Sequence, residues 1–270
     1  MTTGRPEYEV YAVKFAERDG RRTEHFLGGD PHDAPMATAY YVWVIRHGAR
    51  TILVDTGFDG PMAVKRRRRL AMKPSEALSK LGIAPESVTE TVITHLHNDH
   101  AGTVRDFPNS RFHLQDHEMR FATGRYMTNE TFQRPYEVEQ VVDMVRLVYD
   151  RKVQFHRGDD EIAPGVTLHH IGGHTAGIQS VRVWTRRGWV VLASDATHYY
   201  ENFERRRPYP IVYRVGDMAE GYERLSALAE SPQHVIPGHD PRVMERYPAP
   251  GSALEGTVVT LHEDVRTATS

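Results

Sequence analysis

The sequence predicts a mixed α/β protein of the α+β kind, with stacked β-sheets covered by helices and residues 1–270 folded as one domain. Three observations predict it. Two hairpins are legible, at 40–57 and 177–198. Helical segments are interspersed among short β-branched runs, several of which end in a loop bearing His or Asp. No low-complexity linker divides the chain.

"YYVWVIRHGARTILVDTG" (40–57) reads as an apolar strand, a polar turn at His47-Gly48 and a second strand that stops at Asp55-Thr56-Gly57. "PSEALSKLGIAPESV" (74–88) is expected to be helical, with Ser75 as N-cap, apolar spacing through Ala77, Leu78 and Leu81, and a stop at Gly82. "TETVITHLH" (89–97) reads as a short buried strand, and "RFHLQ" (111–115) as another. Residues 136–149 carry Val138, Val141, Val142, Val145 and Leu147 at helical spacing. "GVTLHHIGGH" (165–174), the hairpin turning at Arg187-Gly188, and "HVIPGHD" (234–240) are strands that each lead into a His- or Asp-bearing loop. A helix at 217–231 precedes the last of them.

Composition narrows the function. The chain has 39% hydrophobic and 26% charged residues, which suits a globular fold with a buried core. A formal charge of −2 argues against general attraction to nucleic acid or to an anionic membrane surface. No apolar run approaches the ~20 residues that span a bilayer. "MTTGRPEYEVYAVKFAERDG" lacks the apolar stretch of a signal peptide, so a cytoplasmic location is expected. With no cysteine there are no disulfides, thiolate ligands or cysteine nucleophile, so any metal must use imidazole and carboxylate.

The segment "THLHNDHAG" (94–102) supplies them. His95 and His97, two positions apart, point to one side of an extended segment, and Asp99 and His100 follow as the chain turns. Four such residues on one short loop do not easily close around a single ion, whereas sharing between two adjacent ions is geometrically easier. Further candidates follow later strands: His174 in "GGHTAG", Asp195 in "LASDATH" and His239 in "PGHD". A lone histidine after a strand is usually just hydrogen-bonded or exposed. This cluster with three downstream partners predicts a dinuclear metal site.

These residues resemble the metallo-β-lactamase fold superfamily from Tyr40 to about Tyr247. The resemblance implies a four-layer αββα sandwich with the site on one edge, and two Zn²⁺ per chain. It assigns His95, His97 and His174 to one ion and Asp99, His100 and His239 to the other, with Asp195 bridging. Asp55 looks like the family's aspartate that orients a ligating imidazole. The implied reaction is hydrolysis by a hydroxide held between the ions, about 3.5–4 Å apart. Asp99 would accept the nucleophile's proton and pass it to the leaving group. Nitrogen and oxygen ligands would equally take cobalt, manganese or iron.

"SDATHYYENFE" (194–204) and "HVIPGHDPRV" (234–243) resemble the N-acyl-homoserine lactone lactonase branch. That branch carries a tyrosine over the substrate carbonyl where this chain has His198, whose ring nitrogen can donate in its place. The resemblance thus implies a dinuclear zinc hydrolase opening an acyl-homoserine or related lactone, and so a quorum-quenching enzyme. Its partner is a small-molecule lactone, and family analogy alone suggests a homodimer. The competing readings are a small-ring lactonase of the 4-pyridoxolactonase type, a thioesterase, or a non-catalytic metal-binding protein. Against the thioesterase, only about 30 residues follow His239, too few for its helical extension.

The segment 58–73 is short for a wall against a long acyl chain, and Lys65 to Arg69 within it is expected to form a solvated helix. Met36 or Tyr40 is expected near the pocket mouth, and neither His169 nor His170 is assigned as a ligand.

Overall fold

The computed structural model describes residues 5–266; the outermost residues of the expected domain, and Met1 to Gly4 of the N-terminal reading, lie outside them. In chain order the strands are β1 (Glu9–Arg18), β2 (Thr38–His47), β3 (Arg50–Val54), β4 (Arg69–Leu70), β5 (Glu90–Val92), β6 (Arg111–Gln115), β7 (Val153–His156), β8 (Asp160–Ala163), β9 (Val166–His170), β10 (Gln179–Thr185), β11 (Gly188–Ser194), β12 (Val235–Pro237) and β13 (Val258–Thr260). The helices are α1 (Gly60–Lys65), α2 (Pro74–Ser79), α3 (Asp116–Ala122), α4 (Glu130–Gln133), α5 (Val138–Tyr149), α6 (Tyr200–Glu204), α7 (Val215–Leu228) and α8 (Arg242–Arg246). No helix among the described residues is long and apolar enough to cross a membrane.

The strands form two sheets. One is ordered β13-β1-β2-β3-β5-β6-β7, with β4 paired to β1; the other is ordered β12-β11-β10-β9-β8. Three separate apolar clusters define four layers. Along β2 the alternation of strand side chains sends Tyr40, Val42 and Val44 to one face and Tyr41, Trp43 and Ile45 to the other. The first face packs under Ala77 and Leu78 of α2, Phe121 of α3, and Val141 and Met144 of α5. The second meets Leu168, Val181, Val183 and Leu192 of the other sheet. That sheet's outer face, with Val191 and Ala193, is covered by Met218, Tyr222 and Leu225 of α7. Both faces of β2 are covered, which is why "AYYVWVI" reads as an unbroken apolar run. The αββα sandwich expected from the sequence is the fold observed.

Strand direction positions the site. β3, β5 and β6 run parallel. In the second sheet β9 and β11 both oppose β10, and β12 runs parallel to β11. The loops after β3, β5, β9, β11 and β12 carry the residues singled out above. The sheets are tied together there, where the Gln179 amide donates to the Thr94 carbonyl (3.0 Å) and the Ala39 amide to that of His239 (2.9 Å).

Several expected boundaries shift. The 40–57 hairpin turns at Gly48, φ +57°, as its glycine suggests. The 74–88 helix ends at Ser79 and is capped from Lys73 rather than Ser75, whose hydroxyl bonds Asp106 instead (2.8 Å). The strand expected over 89–97 spans only Glu90–Val92, because Thr94 to His100 are committed to side-chain bonds at the site.

The solvated helix expected over Lys65 to Arg69 does not form. α1 stops at Lys65 and Arg67 sits at φ +53°. The charges then part: Lys65 and Arg66 bind Glu137, Arg69 binds Asp19 and Glu17 beside β4, and Arg68 turns inward. Available carboxylates on three different elements, rather than helical periodicity, decide this segment.

Leu192, fully buried between the sheets, tests the sandwich core. Leu192→Ala is expected to lower the unfolding free energy by about 2–5 kcal/mol with an unchanged urea m-value. A loss below about 1 kcal/mol would contradict the inter-sheet packing.

Candidate metal centre

The residues that the sequence nominates as ligands gather at the strand ends, six of them buried and Asp99 partly so. His95, His97, His174 and Asp195 each offer one donor atom within 4.8 Å of the others; so do Asp99, His100 and His239 as a second group. In the first, His97 Nδ1 lies 3.0 Å from both His95 Nε2 and His174 Nε2, and Asp195 Oδ2 lies 3.3 Å from His174 Nε2 and 3.8 Å from His95 Nε2. Ligands about 2.0–2.1 Å from a tetrahedral ion stand about 3.3 Å apart, so these spacings suit one cation. In the second, Asp195 Oδ1 lies 3.3 Å from His100 Nε2 and 2.9 Å from His239 Nε2, while Asp99 Oδ2 lies 3.8 Å from His239 Nε2. The two oxygens of Asp195 thus face the two groups.

The protonation pattern leaves these atoms as lone pairs. His174 Nδ1 donates to the Ile211 carbonyl (2.7 Å) and His239 Nδ1 to that of Ala39 (2.8 Å). His100 Nδ1 donates to Asp55 Oδ2 (2.8 Å). With Nδ1 committed, each ring turns Nε2 into the cluster, against other nitrogens or against Asp195. For His100 burial opposes the charged form, but Asp195, Asp55 and Asp99 outweigh it and push the imidazole well above its ordinary value, so positive charge is favoured at this position. His100 Nε2 and Asp195 Oδ1 are buried without a hydrogen bond, although His239 Nε2 is 2.9 Å from that oxygen. Buried acceptors facing acceptors are repulsive unless a cation lies between them, so the donor set fits metal. Burial, reinforced by the neighbouring histidines, pushes the His95 and His97 imidazoles well below their ordinary value. For Asp99 burial works the other way, but Arg68, then His100 and His239, outweigh it and hold the carboxyl below its usual range.

Two groups brace the cluster. Asp55, left-handed at φ +62°, accepts from the Thr94 amide (2.7 Å) and hydroxyl (2.8 Å) as well as from His100. Thr94 in turn reaches Ser194 Oγ across the sheets (2.9 Å). The second brace, Glu118, gave no sequence signal, since it stands in a helix among other charges. Fully buried, it accepts from the Leu96 amide (2.9 Å), the Tyr136 hydroxyl (2.9 Å), the Thr175 hydroxyl (2.6 Å) and the Gly177 amide (3.1 Å). It therefore ties the His95–His97 loop to the His174 loop. Gly177 allows this, because a Cβ there would stand 2.1 Å from the Glu118 amide nitrogen.

A cavity of about 400 Å³ opens onto the cluster. His198 lies in its wall, with Nε2 3.0 Å from Asp195 Oδ2 and its ring stacked on Tyr209 at 3.5 Å and 8°. Burial pushes its imidazole down to about 3 even with Asp195 opposing, and Nδ1 is buried without a partner. Tyr40 also lines the cavity; Met36 does not, and its carbonyl meets His25 instead (2.8 Å). Arg68 lies over the rings of Tyr40 (4.5 Å) and Phe58 (4.9 Å) and reaches Asp99 at 3.6 Å. Nothing in the run of adjacent arginines distinguished it. His169 bonds Asp159 and His170 the Ala176 carbonyl, both outside the cluster.

The family model of the metallo-β-lactamase superfamily matches residues 36–244. The chain belongs to that superfamily. It is 35% identical over 179 residues to the N-acyl homoserine lactonase AiiB of Agrobacterium fabrum, a match covering 61% of each chain. It is also 25% identical to a probable metallo-hydrolase of Mycobacterium tuberculosis, over 83% of this chain and 78% of the other. The chain thus spans about three-fifths of the lactonase's length. Among solved structures, a quorum-quenching N-acyl homoserine lactone lactonase aligns with a TM-score of 0.73 at 22% identity, over 88% of this chain and 93% of that one. A lactone hydrolase with N-hexanoyl-L-homoserine bound at its metal centre aligns with a TM-score of 0.73 at 21% identity, over 89% and 96%. At such identities these structures speak for the shared fold.

Glu118→Ala is expected to destabilise the protein by at least about 3 kcal/mol, since four donors lose their acceptor at roughly 1–3 kcal/mol each. Urea denaturation measures this, and a loss below about 1 kcal/mol would remove Glu118 as the brace between the two loops.

Proposed function

We propose that this protein is a dinuclear zinc hydrolase that opens a lactone ring, an N-acyl-homoserine lactone or a related cyclic ester. The observation that carries the reading is Asp195, whose two oxygens face two separate sets of buried imidazole and carboxylate donors. His95, His97 and His174 would hold one ion, Asp99, His100 and His239 the other, and Asp195 both. Their nitrogen and oxygen donors suit zinc, and cobalt, manganese or iron also fit. When bound, the ions supply a water nucleophile ionised near neutral pH and an electrophile for the carbonyl. The lactonases among the relatives support the substrate class.

The chain's own residues would do the rest. Asp55, holding His100 Nδ1–H, keeps Nε2 free for the metal. Asp99, kept ionised beside Arg68, would take the nucleophile's proton and return it to the leaving alkoxide as the ring opens. His198, largely neutral at physiological pH, would donate an N–H to the carbonyl oxygen as charge develops there. Its stacking on Tyr209 restricts the ring that must aim this donor.

The test combines metal analysis with turnover. Wild-type protein is expected to contain two equivalents of zinc and to acidify on addition of an acyl-homoserine lactone; a chelator should abolish this and added zinc restore it. His97→Ala and Asp195→Ala should lose metal and activity together. Two bound zinc ions with no hydrolysis across a panel of acyl-homoserine lactones, aliphatic γ- and δ-lactones and 4-pyridoxolactone would sink the lactonase reading. His198→Ala should lower kcat on the order of 10²-fold with metal content intact. An unchanged kcat, or loss of both ions, would remove His198 from the donor role.

A further inference from the structure

The walls of the cavity above the candidate metal centre are basic. Arg18, Arg66, Arg68 and Arg134 line it, against one carboxylate, Glu24, outside the proposed ligands Asp99 and Asp195. Three of these arginines have partners. Arg66 bonds Glu137 and the carbonyls of Arg134 (2.8 Å) and Tyr136 (3.2 Å). Arg68 bonds Asn98 Oδ1 (2.8 Å) and pairs with Asp99. Arg18 pairs with Glu24 at 3.0 Å, with both side chains partly open to solvent.

Arg134 differs. It is exposed, and among the described residues no carboxylate lies within 4.0 Å of its guanidinium. Its backbone, in contrast, is held. Its own carbonyl takes the Arg66 bond, and Asn98 binds the next carbonyl, that of Pro135, through its amide (3.0 Å) and side chain (2.6 Å). The backbone of Arg134 is thus fixed next to the metal-site loop, while its guanidinium has no carboxylate partner among the described residues. A second, more apolar groove lies alongside, lined by Met127, Tyr136 and Val141, and shares Arg66 and Arg134 with the cavity.

We infer that the substrate carries, besides the bond to be cleaved, an anionic group, carboxylate or phosphate, which Arg134 receives, with Arg18 as a second cation at the rim. This rests on the hydrolase reading above and narrows its substrate. A guanidinium offers two parallel N–H donors to either anion, and charge-assisted pairs of this kind are the stronger hydrogen bonds. The basic wall also draws anionic molecules toward the opening, an attraction that salt weakens.

Binding separates this inference from turnover. The metal-loaded protein is titrated calorimetrically with three non-hydrolysed lactams: N-succinyl-, N-(3-phosphonopropanoyl)- and N-pentanoyl-homoserine lactam. At least one of the two anionic ligands is expected to bind on the order of tenfold more tightly than the neutral one, and the stronger of the two names the anion. The advantage should shrink as ionic strength rises, persist in part in Arg134→Lys and vanish in Arg134→Glu. Arg134→Ala, read beside the thermal melts of all variants, guards against a folding defect in the charge reversal. Equal or tighter binding of the pentanoyl lactam by the wild type would overturn the inference, as would an undiminished advantage in folded Arg134→Glu. If the charge preference holds while no lactone is hydrolysed, only the lactonase reading falls. If lactones are hydrolysed without a charge preference, only the anionic substrate falls.

Discussion

Mutual repulsion among buried lone pairs is the constraint on which this structure turns. Imidazole nitrogens oriented by carbonyls and by Asp55 turn toward one another and toward a carboxylate, in a largely buried cluster at the floor of the cavity. Such an arrangement costs folding free energy unless positive charge is placed inside it. The framework must therefore be stiff enough to hold the donors close. Two sheets with well-filled interiors on three levels supply that stiffness.

The stiffness is concentrated where the sheets meet. Asp55, Thr94 and Ser194 form a chain of hydrogen bonds from the end of β3, past β5, to the end of β11, with Asp55 and Ser194 both in left-handed backbone conformations. Strained positions persist only where surrounding contacts over-determine them, and here those contacts lead straight to His95, His100 and Asp195. Glu118 plays the same part on the other side, joining the loops of His97 and His174 through one buried carboxylate. Residues that accept no role at the reacting centre thus decide whether the donors converge.

The cavity walls follow a different logic. "KRRRR" looks like a single charged feature in the sequence, yet its members serve three separate places in the fold: Glu137 at the start of α5, Asp99 at the centre, and Asp19 just after β1. Arg68 lies on the faces of Tyr40 and Phe58 while it meets Asp99. Together with Arg18 and Arg134, it gives the opening a basic character in a chain whose net charge is slightly negative.

From residues alone one could read the layered α/β architecture, both hairpins, the helices expected over 136–149 and 217–231, which form as Val138–Tyr149 and Val215–Leu228, and all seven candidate donors. Alternating apolar positions and His or Asp after a strand are local patterns, and local backbone geometry expresses them directly. β1, β7, β8 and β13 carried weaker patterns: they lie at or near sheet margins, where one face or edge is covered by chain distant in sequence. Tertiary structure alone decided that Glu118 spans two loops, that Tyr209 stacks on His198, that Arg68 turns inward and that Arg134 has no carboxylate partner among the described residues. The reason is physical. A buried carboxylate or a cation beside a cavity is defined by partners tens of residues away, and nothing in its own neighbourhood along the chain records which partner the fold will bring.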